Sequence, residues 1–179
     1  MLGTLIRKKL SDNQVANIFI NAIFDTVDKG FPEVAQMINE DVAFVTSPGI
    51  MGNQSGHFGL IVIIGNLSFL ESTFEPVQAV RIEEIIIEKL AQIYDMSLGD
   101  FRNMLKEYRS FMSRVNHPSK NVVYAMSKAI FFKYNLNDFQ DEYFRKMKAP
   151  NPLFLKRMDE VVTSFIWNWD AFFKRYRIN

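Results

Sequence analysis

The chain holds two histidines, His57 and His117, and no cysteine. Thiolate nucleophiles, disulfides and thiolate metal sites are therefore ruled out. A three-histidine metal centre is impossible, and no helical His-Glu-x-x-His is present. The two imidazoles stand in different segments, so a site using both with a carboxylate needs the fold to bring them together. Carboxylate pairs are frequent, at Glu83-Glu84, Asp141-Glu142 and Asp159-Glu160. Catalytic pairs need neighbours that push their two pKa values apart, whereas these fall on helical faces expected to meet water. No Gly-x-Ser-x-Gly elbow occurs. The sequence nominates no catalytic residue, no cofactor site and no metal ligand, and a non-enzymatic role is the expectation.

Two stretches have the residue types of a binding site. In Ser47–Gly59, the polar side chains Asn53, Gln54, Ser55 and His57 stand among glycines. Such a loop can offer backbone N–H groups to an anion or close over a ligand, although it matches neither a phosphate loop nor a dinucleotide fingerprint. The second stretch, Leu90 to Lys106, resembles a helix-turn-helix in its spacing. Ala91 is small where helices approach, Met96 is apolar in the turn, and Phe101 and Met104 would seat the second helix. Asp95 takes the place usually held by glycine, and Asp tolerates the left-handed conformation better than most residues. On a recognition helix reaching Met112, Arg102, Asn103 and Lys106 would face outward, suited to guanine, adenine and phosphate respectively. Any two amphipathic helices joined by a capped turn produce the same spacing.

Charge is unevenly spread. Residues 1–96 carry 6 Lys and Arg against 12 Asp and Glu, and residues 97–179 carry 15 against 8. The basic part could meet a nucleic acid, or simply the acidic part of its own chain. Aromatics are abundant, with 17 Phe, 6 Tyr and 2 Trp. Near the C-terminus Trp167, Trp169, Phe172 and Phe173 place rings on more than one helix face, as an interface with a partner protein or a second copy would. A phenylalanine-rich core accounts for them equally well.

The elements that must position these groups are helices. Ser11 with Gln14 forms a capping box, followed by an apolar stripe from Val15 to Val27 and a stop at Gly30. Pro32 opens a short helix to about Asn39. Residues 41–75 hold five of the eight glycines and read as a long loop, with Phe58–Ile64 as a buried helix inside it. Pro76 begins an amphipathic helix, Ser97 with Asp100 caps the next, and Asn116-His117-Pro118 starts one reaching Lys133. Asn135 with Asp138 caps another to about Lys148, and Asn151-Pro152 opens a final helix to about Arg177, on the order of 38 Å long. The expectation is an all-α bundle of about seven or eight helices forming one domain over residues 1–179. The basic run Arg7-Lys8-Lys9 leads into polar residues and not into the core of a signal peptide, and no apolar run spans a bilayer, so the expected location is cytoplasmic. Protein association is the first functional expectation. DNA binding through Leu90–Met112 and ligand binding around His57 are the alternatives.

Overall fold

The apolar spacing is realised as a mainly helical bundle in the computed structural model, which describes residues 7–178. Helix α1 (Asp12–Glu40) starts at the expected capping box: Gln14 N–H donates to Ser11 Oγ at 3.3 Å and Ser11 N–H to Gln14 Oε1 at 3.0 Å. The expected stop at Gly30 does not occur, and α1 continues through Pro32. An interior proline costs about 3 kcal/mol. Val27, Phe31, Val34 and Ile38 form one unbroken buried stripe, each contributing about 1.5–3 kcal/mol, so burial wins. Gly30 is instead a packing residue, because a Cβ there would stand 2.7 Å from Phe165 Cζ.

The glycine-rich third is less irregular than expected. Loop residues 41–55 lead into α2 (Gly56–Leu67), and α3 (Leu70–Thr73) is a single turn. Every residue from Phe58 to Leu67 is buried, as suits a helix at the centre of the bundle. Helix α4 (Pro76–Ile93) and helix α5 (Leu98–Asn116) follow the sequence reading, with Ser97 Oγ accepting from Asp100 N–H at 3.1 Å. Helix α6 (Val122–Lys133) starts later than expected. Asn116 Nδ2 donates to the carbonyls of Ser119 and Asn121, holding a non-helical link, and Asn121 is the cap.

Asn135 does not cap a helix. It sits in the left-handed region at φ 53° and leads into a 3-10 turn, Leu136–Phe139. Asp141 caps the short α7 (Glu142–Met147), and Asn151 caps α8 (Pro152–Thr163) as expected. The long terminal helix is interrupted. Asn66, buried in α2, donates from Nδ2 to the Phe165 carbonyl at 2.9 Å and accepts from Trp167 N–H at 2.7 Å. These bonds satisfy backbone groups that a continuous helix would have paired internally. Asn168 then caps α9 (Trp169–Arg175). The chain finishes in strand β2 (Tyr176–Ile178), which pairs in parallel with β1 (Lys8–Leu10), Lys8 opposite Tyr176. Strands of three residues are too short to leave an alternating pattern in the sequence.

The buried side chains form one cluster running from Leu10 to Phe172. Helices α2 and α6 lie at its centre; α2 packs on α1, α5 and α6, and α6 also packs on α8. Gly65 admits the Met126 thioether between these two central helices, in space a Cβ would occupy. One ion pair is anchored inside the fold. Asp41, whose side chain is 2% exposed, accepts from Arg157 Nε at 2.7 Å, from Arg157 Nη2 at 2.6 Å and from Ala43 N–H at 2.9 Å. Among the described residues no helix is long and apolar enough to cross a membrane.

Candidate functional site

The first turn of α2, the middle of α5 and the end of α6 meet around a cleft of about 700 Å³. Three features of the chain bring them there: the buried run of α2 fixes its first turn, the Ser97 cap sets the phase of α5, and Tyr134 ends α6. His57 Nδ1 lies 2.6 Å from the Tyr108 hydroxyl across 51 residues of sequence. Tyr134 donates its hydroxyl to the Gln54 carbonyl at 2.6 Å and accepts from Phe58 N–H at 3.2 Å. Tyr134 therefore clamps the glycine-rich loop onto the start of α2. Tyr94, Leu60, Ile50 and Phe139 supply apolar wall, and Asn135 and Asp138 stand at the rim. Lys133 Nζ sits 4.3 Å from the Tyr108 ring centroid and 4.7 Å from that of Phe111.

Burial favours the neutral forms of the imidazole and the three phenols that face the cleft. Burial, reinforced by the Lys133 ammonium, holds the His57 imidazole below its ordinary value of 6.5. Burial raises the Tyr108 phenol, and raises Tyr94 with help from Tyr108. Tyr134 is pushed up to about 12 by burial, the Phe58 N–H opposing and Tyr108 adding. The phenols thus remain hydrogen-bonding groups and do not serve as bases. In Lys133→Gln the midpoint of His57, followed by its imidazole resonances, is expected to rise while staying below 6.5, because burial is the larger cause. A midpoint that did not move would remove Lys133 from this electrostatic role.

A second depression of about 640 Å³ adjoins the first. Asn103, Lys106, Ser110, Phe111 and Arg114 of α5 line it together with Lys133. Lys133 borders both cavities, with its ammonium near the Tyr108 ring, which lines the first, and the Phe111 ring, which lines the second. Lys106, Arg114 and Lys133 have no carboxylate partner within ion-pair distance among the described residues. Arg114 lies against the Phe111 ring, 5.5 Å from its centroid.

The residues singled out in the sequence are dispersed unequally. Gln54 and His57 line the cleft, Ser55 precedes α2 without a capping bond, and Asn53 points to solvent outside it. Asn103 and Lys106 lie in the adjoining depression, while Arg102 is engaged by Glu84 of α4. A second pair joins Arg109 to Glu83. Glu83 and Arg109 each stand about ten residues from the turn, or ~15 Å of helix. Arms at a right angle would be roughly 20 Å apart there, beyond the combined reach of both side chains, so α4 and α5 meet at less than a right angle. That is narrower than the ~90–120° of a helix-turn-helix. Asp95 does adopt the left-handed conformation, at φ 52°.

The terminal aromatics are placed differently from the expected interface. Trp169 and Phe172 are buried, and Trp167 and Phe173 are half-buried. Trp169 stacks on Phe19 and meets Phe74 edge-on. Trp169 and Phe172 complete the core, and Trp167 and Phe173 pack against it while keeping part of their surface exposed. Sequence reasoning missed Tyr94, Tyr108, Lys133 and Tyr134. Tyr94 and Tyr108 fall at apolar-stripe positions of the helical spacing, where a phenol looks no different from any other ring.

No family model, curated protein or solved structure matches the chain.

Proposed function

We propose that this chain is a small-molecule-binding domain whose ligand occupies the cleft between His57, Tyr108 and Tyr134. One observation carries the reading: a cavity in the usual range for ligand sites, ~300–1,000 Å³, collects an imidazole and three phenols whose pKa values are all displaced. Perturbed titratable groups converging in a concavity are a recognised mark of function. Aromatic walls with hydroxyl tips suit a planar ring that also hydrogen-bonds. A neutral imidazole adds one donor or one acceptor, and the Lys133 ammonium at the edge favours an anionic substituent.

The reading is tested on the full chain by titrating benzoate, phenyl phosphate and benzylamine while following the His57 and Tyr134 resonances. The two anions are expected to give saturable shifts confined to residues around the cleft at millimolar concentration, with benzylamine several-fold weaker. The proposal fails if none of the three moves those resonances. It fails equally if shifts spread over the surface without saturating.

A further inference from the structure

The two depressions that meet at Lys133 are chemically complementary halves, and we infer that the ligand is a phosphorylated nucleoside, with its base in the tyrosine cleft and its phosphates on Lys133, Lys106 and Arg114. This rests on the reading of the cleft as a binding site and adds the class of ligand. Three observations support it independently.

The first is the shared wall. Among the described residues Lys133 is the one Lys or Arg that borders both cavities, and its Nζ lies within 5 Å of two ring centroids on α5, three residues before the 3-10 turn that borders the cleft. A ring filling the cleft would leave any phosphate it carries beside this ammonium. The second is the unspent charge. Arg102 and Arg109 are neutralised by Glu84 and Glu83, yet Lys106, Arg114 and Lys133 have no carboxylate partner among the described residues. Glu107 is the single acidic side chain lining that depression. Cations left unpaired beside an aromatic surface are what a phosphate chain requires.

The third is the polar equipment of the cleft. Gln54 uses its Oε1 on Met51 N–H, leaving the Nε2 donors free. Among the described residues the side chains of Asn135 and Asp138 at the rim have no hydrogen-bond partner. Exocyclic amino and carbonyl groups of a base would find donors and acceptors there, whereas a plain hydrocarbon ring would leave them unused. The adjoining depression lies on the surface of α5 that the sequence marked by Asn103 and Lys106, and Tyr108 of the same helix faces the cleft.

The test uses the full chain at about 150 mM salt, where exposed charges are screened beyond ~8 Å, with calorimetric titration of ADP, UDP, adenosine, uridine and inorganic pyrophosphate. At least one diphosphate is expected to bind tenfold or more tightly than its own nucleoside and than pyrophosphate. In Lys106→Ala/Arg114→Ala, two exposed changes that break no ion pair among the described residues, that diphosphate should lose about tenfold while the nucleoside is unaffected. Tyr108→Phe should weaken both. If nucleosides bind as tightly as their diphosphates, the phosphate half is overturned and the cleft reading stands. If pyrophosphate alone binds, the base half is overturned. A single-stranded oligonucleotide that binds tenfold more tightly than either diphosphate, with affinity rising with length, would replace the small ligand by a nucleic acid and overturn the inference. Binding of phenyl phosphate without binding of any nucleotide would leave the cleft reading intact and this inference refuted.

Discussion

Arg157→Met is expected to lower the unfolding free energy at pH 7 by about 3 kcal/mol, the cost of leaving a buried carboxylate without its counter-ion. Asp41 is almost fully enclosed, whereas Arg157 keeps 39% of its side chain exposed. The loss therefore comes from stranding the anion and not from desolvating the cation. Burial alone would raise the Asp41 pKa, but the hydrogen bonds from Arg157 and Ala43, with the guanidinium charge, hold it below 3.8. In the native chain this stabilisation is complete above pH 3.8 and is lost as pH falls through the lowered folded value. In Arg157→Met the sign reverses: burial raises the folded pKa, and acid relieves the penalty by neutralising the carboxyl. The gap between the two proteins in urea unfolding should narrow between pH 7 and pH 4. A gap that stays constant over that range would show that Asp41 is not the stranded charge. Asp41→Asn added to Arg157→Met should recover part of the loss.

Asn66→Leu is expected to cost a similar amount, about 3 kcal/mol, by another route. The substitution keeps the branching and number of side-chain heavy atoms but removes three hydrogen bonds, with Val62, Phe165 and Trp167. Val62 C=O retains its place in the α2 helix. Phe165 C=O and Trp167 N–H lose the partner that spans α2 and the α8–α9 break, and an unsatisfied buried group costs ~1–3 kcal/mol. Both tryptophans adjoin that break, so intrinsic fluorescence reports on it directly. The expected result is a lower urea midpoint with a shifted native emission maximum, since Trp167 and Trp169 change surroundings before the rest unfolds. An unaltered midpoint would mean that the backbone at 164–168 finds other partners and that Asn66 does not set the break.

What could be read beforehand follows the range of the interactions. Ser11 with Gln14, Ser97 with Asp100 and Asn151 before Pro152 are local devices, each decided within four residues, and each starts a helix where expected. The continuous α1 was hidden because Gly30 and Pro32 carry strong local stop signals that a buried stripe overrides. The break after Thr163 could not be seen locally, since it is set by Asn66, about 100 positions earlier. The cleft was half visible. His57 and Gln54 stood out in a glycine-rich loop, but Tyr108 and Tyr134 join them only through the packing of α5 and α6 on α2. Asn103 and Lys106 stand on the outward face the spacing implied, and only the packing of α6 on α5 brings Lys133 beside them.

The short parallel ladder also has a mechanical consequence. Lys8–Leu10 and Tyr176–Ile178 run side by side in the same direction, so tension applied outward at the two ends of the described chain would load its rungs in shear, all together, before any helix felt the pull. Every helix lies inside the loop that this ladder closes. Joining ends so distant in sequence costs roughly 4–5 kcal/mol of chain entropy on a logarithmic scale, which makes the ladder a latch that fastens only after the bundle has already drawn its ends together.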